Sequence, residues 1–354
     1  MVAARTFRLS RTQAALIIVV AAISVAMLMG LLAQAPEPKL RADGAEALAI
    51  PLADGSWQNA AFSPDGTQIS FTRFRNGYNK SPADILIFDL KTKTLRPLID
   101  DGHANVSSPG SSWNARTGRI VFSSTNSVTD HDEIFRIASR EGSKAQQLTS
   151  DDKYMSYEPT MSPDGQSIVF ESHLVNEEGN GRIRVLEAGA SEPEDLTDAD
   201  EDCRQPNWSP AGNVIVYQKK DDNRWDLWIY DVSSKQHRRL TQGEGDKTDA
   251  TFSPDGRWVL YSADNPNLKH ANLFATSLDG TRTVQVTATE VYDGAASWSP
   301  DGKTIVFETA AVRRVSLRWR LRTLFQHEAS TSLWSINTPD ALYRQLCLGG
   351  AACR

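Results

Sequence analysis

The sequence predicts an all-β chain, a six-bladed β-propeller preceded by one N-terminal transmembrane helix. One phrase recurs six times at a nearly constant interval, and each recurrence belongs to a unit of four strand-like segments. The chain also opens on twenty uncharged residues behind three arginines.

Residues 1–12 are the basic flank, with Arg5, Arg8 and Arg11, and 13–34 hold the apolar run, A-A-L-I-I-V-V-A-A-I-S-V-A-M-L-M-G-L-L-A over 14–33. At ~1.5 Å per residue such a helix crosses a ~30 Å hydrocarbon core, and the flank holds the N-terminus in the cytoplasm. The expectation is a single-pass signal anchor in a bacterial inner membrane with the propeller periplasmic or otherwise extracytoplasmic. A long signal peptide cleaved after Ala35 is the alternative, because Ala33-Gln34-Ala35 fits an A-x-A site. The run exceeds the ~7–15 residue core of ordinary signal peptides, which favours the anchor. Residues 35–46 are Pro-rich and polar, a linker.

Residues 47–354 form the ring. The phrase reads F-S-P-D-G-T-Q-I-S-F at 62–71, M-S-P-D-G-Q-S-I-V-F at 161–170, W-S-P-A-G-N-V-I-V-Y at 208–217, F-S-P-D-G-R-W-V-L-Y at 252–261 and W-S-P-D-G-K-T-I-V-F at 298–307. A degraded copy, W-N-A-R-T-G-R-I-V-F, stands at 113–122. The residues before the turn, Phe62, Trp113, Met161, Trp208, Phe252 and Trp298, are 51, 48, 47, 44 and 46 apart. Pro presets φ, Asp bonds the local backbone and Gly supplies positive φ, so the phrase is a strand, a tight turn and a second strand. The repeated Asp is therefore a turn residue, and the aromatic before it reads as packing between blades. Third segments alternate, as in I-L-I-F-D at 85–89 and D-L-W-I-Y-D at 226–231, and fourth segments end in Leu148-Thr149, Leu196-Thr197, Leu240-Thr241 and Val286-Thr287. Four strands per ~45 residues match propeller blades. Either 47–52 or 342–348 supplies the outer strand that closes the ring.

The S-P-D-G hairpins, the L-T strand ends and the six-fold count resemble the TolB-like propellers with WD40-like Pro-Asp repeats, over about 47–348. The resemblance implies an exported ring that binds protein partners through its surfaces and channel mouth. TolB proteins also carry a sizeable α/β domain before the ring, with no counterpart in 35–46, so the chain reads as TolB-like and not as TolB itself.

Net charge is −6 with both signs interspersed, which argues against nucleic acid as a partner. No G-x-S-x-G elbow, phosphate loop or dinucleotide fingerprint occurs. No cofactor is expected, and a non-enzymatic module is favoured over an enzyme. Of three cysteines, Cys347 and Cys353 can pair across a short loop, leaving Cys203 as an inert thiol.

First strands line a propeller channel, so counting back four residues from the Ser of each turn places Asn59, Glu158, Gln205 and Asp249 near one mouth. They read either as hydrated lining or as a site for a cation, sugar or basic peptide terminus. Loops on the same face carry His103, His131, His173, His270 and His327 beside carboxylates. His131, His173 and His270 are the metal candidates, although no spacing makes them converge. They support the alternative reading, a metal-dependent polysaccharide lyase or other carbohydrate-active propeller enzyme. The last blade carries an insertion at 311–330, where Arg314, Arg318, Trp319, Arg320 and Arg322 make a basic, partly apolar stripe. It reads as a solvated insertion or as a contact for a partner or anionic lipid. The expected partners are envelope proteins and, through the N-terminal helix, the membrane, with the ring itself monomeric.

Overall fold

The computed structural model describes Ile18, Val20, Ala21, Ile23, Ser24 and residues 39–347, apart from Ala53, Ala104, Asn105, Ser127, Thr129, 176–178, 265–269 and 311–329. Most of the expected anchor, the basic insertion and Cys353 lie outside the described residues. Among the described residues no helix is long and apolar enough to cross a membrane.

Six antiparallel sheets form the ring, in chain order. A short strand, β1 (Glu46–Ala47), comes before the first sheet. Blade 1 is β2 (Ser56–Phe62), β3 (Gln68–Phe74), β4 (Ala83–Asp89) and β5 (Leu95–Ile99); blade 2 is β6 (Arg119–Thr125), β7 (Asp132–Ala138) and β8 (Gln146–Gln147). Blade 3 is β9 (Tyr154–Met161), β10 (Ser167–Leu174), β11 (Arg182–Glu187) and β12 (Glu194–Asp195). Blade 4 is β13 (Cys203–Trp208), β14 (Val214–Asp221), β15 (Arg224–Asp231) and β16 (Gln236–Arg239). Blade 5 is β17 (Lys247–Phe252), β18 (Trp258–Asp264), β19 (Ala271–Ser277) and β20 (Thr283–Gln285). Blade 6 is β21 (Asp293–Trp298), β22 (Thr304–Ala310) and β23 (Thr331–Asn337), completed by β1.

The N-terminal segment closes the ring. Glu46 and Ala47 pair with Ser335 and Trp334, and Leu48 N–H donates to Leu333 O at 3.0 Å. The competing segment instead forms α1 (Asp340–Cys347), because Leu342 and Leu346, one helical turn apart, both bury completely against blades 5 and 6. Cys347 at its end is disulfide-bonded, and Cys203 is free and buried.

The turns follow the composition argument. Ser63 Oγ donates to Asp65 Oδ1 at 2.6 Å and accepts Gln68 N–H at 2.9 Å, and Asp65 also takes Thr67 N–H at 3.0 Å. The same set recurs at Ser162–Asp164, Ser253–Asp255 and Ser299–Asp301. The recurring Thr has a purpose that spacing alone did not reveal. Thr149, Thr197, Thr241 and Thr287 each accept the N–H of a third-strand residue, Ile134, Ile183, Leu227 and Leu273, at 2.9–3.0 Å. The hydroxyl continues the ladder where the fourth strand departs.

Blade 2 departs from the expected four strands. Among the described residues its inner segment pairs with β6 through the isolated bridges Val106↔Ser123 and Trp113↔Ile120, so seven residue steps face three. In blade 1, Gln58 to Phe62 takes four steps against three between Thr72 and Ile69. The surplus around Ser107–Ser112 bows into the channel. A Cβ on Gly110 would stand 3.0 Å from both Asn207 Nδ2 and Thr251 Cγ2, atoms of blades 4 and 5. Asn207 ties the bow across the axis, accepting Ser111 Oγ–H at 2.6 Å and donating to Pro109 O at 3.0 Å. Ser107–Ser112 is therefore a plug.

Candidate functional site: the channel mouth

Each regular inner strand carries a one-residue bulge at the position counted from the turn. Gln58 to Ala61 takes three steps against two on β3, and β9, β13, β17 and β21 do the same. The bulge residues Asn59, Glu158, Gln205, Asp249 and Ala295, with Gly110 in the plug, all have positive φ, from 42° to 78°. Left-handed backbone turns their N–H groups out of the ladder, and those groups need acceptors.

The acceptors come from neighbouring blades. Glu171 Oε2 takes Gln205 N–H at 2.7 Å, Gln205 Oε1 takes Asp249 N–H at 3.0 Å, and Glu308 Oε2 takes Asn59 N–H at 3.3 Å. Thr72 Oγ1 likewise takes Ser107 N–H at 3.3 Å. The polar ring is thus in part a structural girdle. Glu171 and Glu308 were missed from the sequence, yet each is the residue after I-V-F, a carboxylate in an otherwise apolar second strand.

Three of the four expected residues meet. Glu158, Gln205 and Asp249 line one narrow chamber with Pro206, Ala250, Asn207 and the plug residues Ser108 and Pro109. Gln205 Nε2 donates to Glu158 Oε1 at 3.3 Å, while Thr248 and Ser262 hydroxyls hold Asp249 Oδ2 at 2.9 and 3.3 Å. Asn59 is not in this chamber and joins Glu308 instead. Burial pushes the Glu158 carboxyl well above the ordinary range, and the charges of Glu171 and Asp249 push it the same way. Burial also raises Asp249. Ser108 Oγ, buried in the same chamber, has no hydrogen-bond partner among the described residues.

Tyr292 Oη donates to Glu308 Oε1 at 3.0 Å and meets Tyr78 edge-on at 6.1 Å, and burial beside Glu308 raises its phenol well above the usual value.

Among the described residues the histidines do not assemble. His131 Nε2 lies 2.9 Å from Asp151 O and 3.4 Å from Glu133 Oε1, and His173 Nε2 lies 3.1 Å from Glu171 Oε1. His270 sits beside Asp264, which burial raises. Among the described residues no three or more His, Cys, Asp or Glu side chains are grouped to hold a metal ion. Arg314, Arg318, Trp319, Arg320 and Arg322 lie outside the described residues.

The residue before each turn does more than the packing expected of it. Phe62, Trp113, Met161, Trp208, Phe252 and Trp298 do pack between blades, but they also converge on the axis at the turn-side mouth, where they line one cavity. Converging inner strands force equivalent positions to meet.

The model of the TolB beta propeller domain matches residues 41–269 and, overlapping, 177–321. The chain belongs to this family. It is 30% identical over 100 residues to an uncharacterized protein of Agrobacterium fabrum, covering 28% of this chain and 33% of that one. It is 27% identical over 210 residues to the uncharacterized peptidase YuxL of Bacillus subtilis, covering 57% of this chain and 28% of that protein. The Tol-Pal system protein TolB 1 of Novosphingobium aromaticivorans is 33% identical over 85 residues, covering 23% of this chain and 18% of that protein. The chain spans a third or less of the length of these curated relatives. Among solved structures, TolB from Acinetobacter baumannii superposes with TM-score 0.57 at 16% identity, covering 80% of this chain and 64% of that chain. Oligogalacturonate lyase in complex with manganese gives 0.51 at 13%, covering 81% and 79%. At these identities both report the shared propeller fold.

Proposed function

We propose that this chain is an exported, membrane-tethered TolB-like propeller that acts as a non-enzymatic binding module of a bacterial-type envelope. In this reading it takes a cationic group of a protein partner, an amino terminus or a basic side chain, at the Glu158–Asp249 chamber. The observation that carries the reading is the crowding of Glu158. Its neighbours Glu171 and Gln205 are engaged in capping bulges, whereas its own carboxylate is desolvated beside two other acids, whose charges outweigh that of Arg204, and its hydrogen bond is from Gln205 Nε2. A cation relieves that repulsion, so binding strengthens as pH rises through the raised Glu158 pKa. The relative that works in the Tol-Pal system supports an envelope setting.

The test is crosslinking capture from the native envelope with wild-type protein and with Glu158→Gln/Asp249→Asn. Loss of the captured partner in a folded variant is expected, and equal capture overturns the assignment. The rival enzyme reading predicts stoichiometric manganese, calcium or zinc in purified protein that is lost in His131→Ala/His270→Ala. For the tether, intact-mass analysis of the native protein is expected to show no mature N-terminus at Pro36.

A further inference from the structure

Blade 2 lacks a carboxylate that three other blades keep. The third strand ends in Asp89 in blade 1, Glu187 in blade 3 and Asp231 in blade 4, each opposite the first residue of its second strand, Gln68, Ser167 and Val214. In blade 2 the pair is Arg119 and Ala138. One backbone bond confirms that these positions correspond: the N–H after the third strand returns to the carbonyl before the second, Leu90 to Thr67, Ser139 to Gly118, Ala188 to Gln166 and Val232 to Asn213. Where its neighbours place an acid, blade 2 places a methyl group facing an arginine.

Elsewhere that carboxylate has two roles. It accepts across the strands, Asp89 from Gln68 Nε2 at 3.4 Å and Glu187 from Ser167 Oγ at 2.6 Å. It also ties the turn that follows: Asp89 Oδ1 takes the N–H groups of Lys91 and Thr92 at 3.0 and 2.8 Å, and Asp231 Oδ1 takes those of Ser233 and Ser234 at 3.1 and 2.8 Å. The matching donors in blade 2 belong to Arg140 and Glu141, and neither has an acceptor among the described residues.

The surroundings of Ala138 are cationic. It lines a cavity of about 330 Å³ with Arg119, Arg136, Arg140 and Lys144, and Glu141 is the one carboxylate in that wall among the described residues. Arg119 is opposite Ala138 and Arg136 precedes it by two, so strand alternation puts both arginines on the face that Ala138 shares. Gln146 Oε1 accepts Arg136 Nε–H at 2.9 Å, which fixes that guanidinium. Burial, and after it the charge of Arg119, lowers the Arg136 guanidinium below its ordinary value, and no carboxylate offsets the repulsion. None of the four cations makes an ion pair among the described residues. An arginine on a surface turn needs no ligand. Two arginines facing each other at the position where the repeat elsewhere supplies an acid, beside turn N–H groups that the same acid elsewhere accepts, are a different matter.

Four cations and two backbone donors exceed what one carboxylate, with a single charge, can satisfy. A phosphate group brings up to two charges and three acceptor oxygens, and the guanidinium fork matches its geometry. We propose that blade 2 binds a phosphate group beside Ala138, between Arg119 and Arg136, and that this oxyanion supplies from outside the acceptor that Asp89 and Asp231 supply within their own blades. The site lies at the turn side of one blade and does not depend on the Glu158–Asp249 chamber.

The test follows thermal unfolding of the full chain and calorimetric binding of inorganic phosphate, each against chloride at equal ionic strength, so that screening is common to both. Phosphate is expected to raise the wild-type midpoint, as a ligand of the native state does. Arg119→Gln/Arg136→Gln removes a repulsion and keeps the fold, and is expected to weaken phosphate binding by roughly tenfold or more, the effect of losing a charge-assisted hydrogen bond. Ala138→Asp returns the carboxylate to the chain. Its midpoint without phosphate is expected to lie above that of wild type, and phosphate should no longer raise it. Glu158→Gln/Asp249→Asn is expected to bind phosphate as wild type does, which separates this site from the cationic one. Phosphate that is no more effective than chloride, or that binds either blade 2 variant as it binds wild type, overturns the proposal. Soluble glycerol 3-phosphate and vesicles containing phosphatidic acid then identify the source of the phosphate group, as the probe whose binding Arg119→Gln/Arg136→Gln removes; if it removes neither, the assignment falls.

Discussion

Replacing Glu158 by Gln is expected to stabilise the ring at neutral pH. The chamber holds Glu158 beside Glu171 and Asp249, and burial followed by those two charges raises its carboxyl in the folded state. Unfolded, the same group titrates near ~4.3. Between these values the folded protein binds a proton that the unfolded chain has released, so stability falls as pH rises through the window. Each unit of elevation removes ~1.4 kcal/mol by neutral pH. Gln keeps an oxygen for the Gln205 amide, now at 3.3 Å, and removes the charge. Urea unfolding at pH 7.5 is therefore expected to show a higher midpoint for Glu158→Gln than for wild type, and at pH 4 the two should converge. A variant that is less stable than wild type by the same amount at both pH values would refute the reasoning, because the loss would then be one of packing.

Gly110→Ala forces a side chain into left-handed backbone, ~1–2 kcal/mol, and displaces Asn207, ~0.5–1.5 kcal/mol; a loss of about 2–3 kcal/mol by chemical denaturation is expected. Asp226 is fully buried among Arg224 at 3.1 Å, Lys247 at 3.2 Å and the guanidinium of Arg239. Asp226→Ala strands these cations and should cost about 3–5 kcal/mol, read from the same unfolding curve. Burial, with Glu201 adding to it, pushes the Cys203 thiol up to about 12. Iodoacetamide at pH 8 should leave Cys203 unmodified in folded protein and alkylate it in urea, as mass spectrometry would show.

Much of the ring was legible because its turns are chemical necessities repeated at one period. Ser, Pro, Asp and Gly at fixed offsets leave the hairpin little freedom, and counting from them located Glu158, Gln205 and Asp249. What escaped was three-dimensional convergence. The bulge that turns these residues inward shows only as the unequal register of two strands. Glu171 and Glu308 stood in plain view as charges inside buried strands, but alternation alone does not say that such a charge caps its neighbour's backbone. The first interval, 51 residues against 44–48 elsewhere, announced surplus chain in blade 2. It did not announce that the surplus turns inward, because that depends on Gly110 having no side chain where Asn207 and Thr251 approach. The aromatics before the turns were read one at a time as packing, and only the closed circle makes them a common wall.

The pairing of Glu46 and Ala47 with Ser335 and Trp334 also sets a timetable. Partners so distant in the chain cannot meet until nearly all of it is available, so the last blade waits with an unpaired edge while the other five assemble. An exposed strand edge invites pairing with another chain. The two-residue clasp is therefore also a safeguard: by occupying the edge of β23 it withdraws the surface on which neighbouring copies could otherwise polymerise.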